Sequence, residues 1–143
     1  MTNTAAAAGK QGGKRPVGSQ KAVLLCDRGT LDGSAYMDAA GWAKLMAHNG
    51  MDTVTLRDQR YNAVFHLVTA ADGAEAFFGH ETNETRTETP AQARDLDARV
   101  MRAWVGHPRL LVFDNRTGDG TFEAKMRRVV NAVSRHVGLP STT

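Results

Sequence analysis

Three short apolar runs constrain this chain more than any other feature: Val23-Leu24-Leu25-Cys26, Ala63-Val64-Phe65-His66-Leu67-Val68 and Leu110-Leu111-Val112-Phe113. Each has the length of a strand, and none is joined to the next by a hairpin turn. Between and after them apolar residues recur at helical spacing. This alternation predicts an α/β domain, a parallel sheet with helices on both faces. All three runs read as buried strands, and Cys26, with its aliphatic neighbours, reads as a buried thiol.

The intervening segments carry their own punctuation. Asp38 is placed to cap a helix that presents Trp42, Leu45 and Met46 and stops near Gly50. Thr55 to Arg60 reads as a short polar helix or turn whose Arg57, Asp58 and Arg60 are solvated. His66 reads as a buried neutral imidazole with one hydrogen bond. Ala70 to Phe78 is predicted to form a short helix packing Ala74, Phe77 and Phe78 inward, and Gly79 to Thr89 a polar connection long enough to act as a mobile lid. Thr89-Pro90 starts a helix to Trp104 with Ala93, Leu96, Val100 and Trp104 on one face and an Asp95–Arg99 pair outside. A last helix presents Phe122, Met126, Val129, Val130, Val133 and Val137, and Gly138 with Pro140 closes it.

Charge excludes some function classes. The chain has 18 Lys and Arg against 15 Asp and Glu, a net +3. Lys10, Lys14, Arg15 and Lys21 all precede the first apolar run, so the remainder carries 14 basic and 15 acidic residues, a balance of −1. The excess therefore does not make a structured nucleic-acid face, and no nucleic-acid partner is expected. Residues 1–21, rich in Gly and Ala and free of acids, read as a disordered basic tail, and residues 141–143 as a short polar end. The Ala-rich, acid-free tail leaves an organellar transit peptide as the alternative to a cytoplasmic start, although glycines break the amphipathic helix such a peptide needs; no run is long enough to span a bilayer, and the lone Cys26 suits a reducing compartment. A cytoplasmic location is expected. No histidine, cysteine or acid spacing points to structural zinc.

The ends of the apolar runs are where chemistry is expected, because ligands of open α/β sheets bind beyond the carboxyl ends of the strands. Asp27 can face a divalent metal there, and Arg28 can fork onto phosphate oxygens. Asp114-Asn115 repeats the pattern after the third run.

Further residues give these features a family setting. Cys26-Asp27-Arg28-Gly29, Arg60-Tyr61, His66 to Glu75, Arg86-Thr87-Glu88-Thr89-Pro90, Arg94-Asp95-Leu96-Asp97, Trp104-Val105-Gly106-His107-Pro108 and Asp114-Asn115 together resemble the P-loop ATPase domain of the TRPL translocation defect family. That family is related to small nucleoside and nucleotide kinases, including ribosylnicotinamide kinase domains. The resemblance covers roughly residues 22 to 140.

It implies a partial P-loop NTPase, nucleotide kinase-like fold, with Asp27 as the metal-linked acid, Arg28 beside it, Arg86 and Arg94 on the lid over the phosphates, and Asp114-Asn115 leading to the loop beside the base. Magnesium with ATP or GTP would be the cofactor of the intact domain. A Walker A loop should precede the first strand, and its only candidate, Ala8 to Arg15, has arginine where Ser or Thr is required. On this reading residues 22–140 are the C-terminal part of a P-loop domain, truncated before its phosphate loop and central strand, weak or inactive alone, and given to self-association through unpaired strand edges. The alternatives are a small-molecule kinase with a noncanonical phosphate loop and a non-catalytic interaction module.

Overall fold

Val64 N–H donates to the Arg109 carbonyl and Val68 N–H to that of Phe113, both at 3.0 Å. These bonds bracket a parallel pair, β1 (Val64–Leu67) against β2 (Leu110–Phe113), in register from Val64↔Leu110 to Leu67↔Phe113. The computed structural model describes residues 22–78 and 88–140, and within them β1 and β2 make up the sheet. Ahead of β1 lie a 3-10 turn (Thr30–Tyr36), α1 (Ala39–His48) and α2 (Thr53–Asp58). α3 (Pro90–Trp104) is the crossover that lets β2 run parallel to β1, and α4 (Phe122–Val137) follows β2.

The helices start where local chemistry says they should. Asp38 accepts from the Gly41 amide at 2.7 Å, Asp52 from Thr55 at 2.8 Å and Thr121 from Ala124 at 3.1 Å, each supplying an acceptor to the open first turn. Thr89 and Gln92 satisfy each other reciprocally, and Pro90 occupies the first helical position of α3. Ala93, Val100 and Trp104 are buried on the predicted face of α3, while Asp95 and Arg99 pair at 3.1 Å outside it. Gly138, at φ 74°, closes α4 in the left-handed conformation.

The core sits on one side of the sheet. Leu31, Met46, Leu56 and Trp104 cluster there, with Trp42, Tyr61, Val64 and Leu110 packed against them. Trp104 is its pivot: 2 % exposed, its indole N–H donates to Asp32 Oδ1 at 2.6 Å, and Tyr61 meets it edge-on at 5.4 Å. Gly29 approaches so closely that a Cβ there would lie 2.2 Å from the indole Cζ2, so only glycine fits. The Tyr61 hydroxyl in turn accepts the Thr30 amide at 2.9 Å, tying the 3-10 turn to β1's approach. Strand alternation sends Phe65 and Phe113 to the opposite face, where their rings meet edge to face at 5.8 Å and α4 packs along β2. Helices thus cover both faces.

Several sequence expectations are corrected. Val23–Cys26 is not a strand: it has no ladder, Leu24 is 88 % exposed and Leu25 74 %, and Cys26 is exposed. An apolar run becomes a strand only if another strand presents an edge to it, and a cleft separates this one from β1. The helix expected over Ala70–Phe78 shrinks to a single 3-10 turn at Glu75–Phe77, because Gly73 takes a positive φ of 83° just before it, and Phe77 points out at 76 % exposure. On α4, Phe122 and Val130 are exposed, because the buried stripe runs instead through Lys125 and Ala132. Most of the predicted lid, residues 79–87, lies outside the described residues, as do the 1–21 and 141–143 tails. No helix among the described residues is long and apolar enough to cross a membrane.

Candidate functional site

Beyond the carboxyl end of β1 the chain turns through Val68–Gly73, and side chains from three other elements converge on the turn's backbone. Asn115, two residues after β2, spends its amide group there, Nδ2 donating to the Thr69 carbonyl at 2.8 Å and the Asp72 carbonyl at 2.7 Å. Lys125, in the second turn of α4, is 5 % exposed and donates from Nζ to Val68 O at 2.6 Å and Asn115 Oδ1 at 2.8 Å. Arg94 of α3 donates to Ala71 O at 2.7 Å, and Arg116 pairs with Asp72 at 2.6 Å. Thr69 O also accepts the Asp72 amide at 3.1 Å within the turn, while the Ala71 and Asp72 carbonyls rely on these side-chain donors.

Lys125 shows the electrostatic cost of this arrangement. Burial pushes its ammonium below the usual lysine range; the Asp97 charge works against that, Arg128 adds to it, and Asp114 opposes it. Asp97 does further work from α3, accepting the Thr69 amide at 3.2 Å on one oxygen and facing His66 Nε2 at 3.2 Å on the other. The buried His66 therefore has the single hydrogen bond expected of it, and its partner is a carboxylate.

Asp114 is absorbed by its own turn. Its carboxylate accepts the Thr117 amide at 2.7 Å, the Thr117 hydroxyl at 2.8 Å and the Arg116 amide at 2.8 Å. Those bonds, the Thr117 amide foremost, hold its pKa down from 3.8 to about 2. Because the folded value is depressed, the bonds stabilise the turn fully above the unfolded pKa of 3.8 and are lost as pH falls toward 2. An acid titration followed by carboxyl NMR should show this step at Asp114. Asp114→Asn should remove it, and an unshifted Asp114 would disprove the turn's hold on the charge.

A cleft of about 1560 Å³ opens on the other side of β1. Residues 22–28 form one wall, β1 the other, and Leu96 and Val100 of α3 with Val133 of α4 also line it. Asp27 and Arg28 stand on its wall, both exposed, with no hydrogen bond or ion pair among the described residues, and Arg28 holds a positive φ of 75°. The structure therefore separates the predicted site residues into two groups. Arg94, Asp114 and Asn115 gather round the turn after β1 with polar groups committed, and Asp27 with Arg28 lines the cleft uncommitted. Arg86 lies outside the described residues.

The free Asp27 carboxylate fits a magnesium ion, which is held through one or two carboxylates and substrate phosphates with water completing the shell. No cluster of three or more His, Cys, Asp or Glu residues among the described ones offers an all-protein cage. Sequence reasoning missed Lys125, Asp97 and Asp32. For Lys125 a usable signal existed, since it shares a helix stripe with Val129 and Ala132.

No curated protein and no solved structure matches the chain. A family match does exist: residues 6–124 fit the AAA domain family, a span that includes both the polar turn after β1 and the Asp27–Arg28 wall. With most of its length matched and an α/β architecture of parallel strands flanked by helices, the chain belongs to the AAA domain family and is a P-loop NTPase-like domain.

Proposed function

We propose that this domain binds a magnesium–nucleoside triphosphate, ATP or GTP, along the cleft wall formed by Asp27 and Arg28. Asp27 would face the metal, Arg28, Arg86 and Arg94 would neutralise phosphate charge, and the Asp114-Asn115 turn would border the base. Bound magnesium supplies charge neutralisation to the phosphates; the chain's own residues orient and hold them. The observation that carries this reading is the adjacent, unpaired Asp27 and Arg28 in a chain of AAA type.

Binding by this chain is expected to be weak, in the millimolar range, because Ala8–Arg15 lacks the hydroxyl that a phosphate loop gives magnesium. The residues shared with the TRPL translocation defect family and its nucleoside-kinase relatives support phosphoryl transfer as the activity of a competent domain. Calorimetry with magnesium and ATP or GTP should detect no affinity tighter than millimolar, and a micromolar constant would overturn the weak-binding reading. At saturating nucleotide, Asp27→Asn should abolish the magnesium-dependent rise in melting temperature while leaving the nucleotide-free melt unchanged. A nucleotide-free melt lowered by Asp27→Asn would make the residue structural instead.

A further inference from the structure

The cleft is larger than the roughly 300–1,000 Å³ of an ordinary small-ligand site, and its walls are backbone as much as side chain. Val64 and Val68 direct their N–H groups to β2. By the two-residue alternation of a strand, Ala63, Phe65 and Leu67 direct theirs into the cleft, where no backbone partner meets them among the described residues. Regularly spaced free N–H and C=O groups on one edge are satisfied by one kind of occupant, an extended strand. That occupant must be apolar on both faces, since Leu96 and Val100 of α3 and Val133 of α4 all border the space.

The chain itself displays such a segment. Ala22-Val23-Leu24-Leu25-Cys26 lies outside any helix or strand and is apolar throughout, and its five residues are enough to span the four of β1. It is joined to the body at a hinge of unequal partners: Gly29 is locked against the Trp104 ring, while Arg28 holds a left-handed conformation that a non-glycine residue leaves readily. Donor segment and acceptor edge are present once on every copy, so reciprocal exchange between two copies closes on itself about a two-fold axis and leaves neither surface unused. We propose that Ala22–Cys26 of one copy pairs with the free edge of β1 in a second copy, and reciprocally, making an exchanged-strand dimer.

Sedimentation equilibrium on the full chain, from low to high micromolar concentration, tests this. The apparent mass should rise from that of one chain to that of two. Leu24→Lys combined with Leu25→Lys should hold it at one chain; both positions are exposed, so the fold is not at risk. Leu67→Pro should do the same from the acceptor side, because it removes an N–H that β2 does not use. Circular dichroism of both variants should match the parent. In the dimer, amide exchange at Phe65 and Leu67 should slow, and dilution to the monomer should restore fast exchange. A parent that stays at one-chain mass, a dimer that survives both variants, or slow exchange at Phe65 and Leu67 in the dilute monomer, the mark of the segment closing on its own chain, would each overturn the proposal.

Discussion

Trp104→Ala is expected to unfold most of the chain. Truncating a buried tryptophan costs about 3–5 kcal/mol, and the Asp32 carboxylate, itself buried, loses the indole donor that sits 2.6 Å away. An orphaned buried acceptor adds roughly 1–3 kcal/mol, which brings the sum to a large share of the about 5–15 kcal/mol that holds an ordinary domain. Trp104→Phe separates the two contributions, because it keeps most of the volume and removes only the N–H. Urea unfolding should rank parent, phenylalanine and alanine in that order of stability. Equal losses for both variants would show that the hydrogen bond to Asp32, and not packing, is the dominant contribution.

Asn115→Ala should come second in effect. The side chain reaches the Thr69 and Asp72 carbonyls and receives Lys125, so its loss orphans the Asp72 carbonyl and leaves the buried Lys125 ammonium with Val68 O alone, while Thr69 O keeps the Asp72 amide. With the orphaned carbonyl and the weakened ammonium each costing about 1–3 kcal/mol, a destabilisation of about 2–4 kcal/mol is expected. Asn115→Asp is the sharper probe: it keeps shape and attracts Lys125, yet turns both donors into acceptors facing carbonyl oxygens. It should therefore remain clearly destabilising despite the favourable charge. A neutral Asn115→Asp variant would show that the lysine contact alone holds the turn.

How much of this was legible in the sequence depends on the range of the interactions involved. The caps at Asp38 and Thr89, the Asp95–Arg99 pair, the apolar face of α3 and the limits of β2 are set within a few residues, and each stands where its local chemistry places it. The Asn115–Lys125 cluster depends on partners 46 or 57 residues away, and a lysine on a helix ordinarily reads as solvated. Val23–Cys26 shows the converse failure. Hydropathy reports that a segment gains from burial, but the existence of an edge to receive it is a property of the whole sheet.

The placement of the core to one side of the sheet also governs how the molecule comes apart. The 3-10 turn, α1, α2 and α3 share the hydrophobic cluster around Trp104, whereas α4 is fastened largely by Lys125, Arg128 and Asn115 reaching backbone oxygens. The two attachments differ in kind, one apolar and one polar, and α4 packs against β2. Sub-global opening should begin with α4 peeling from β2 while the tryptophan-centred unit keeps its protection. Because Val133 of α4 also borders the cleft, anything lodged there would clamp α4 onto the tryptophan-centred unit, so occupancy of the cleft and integrity of the C-terminal helix become a single equilibrium.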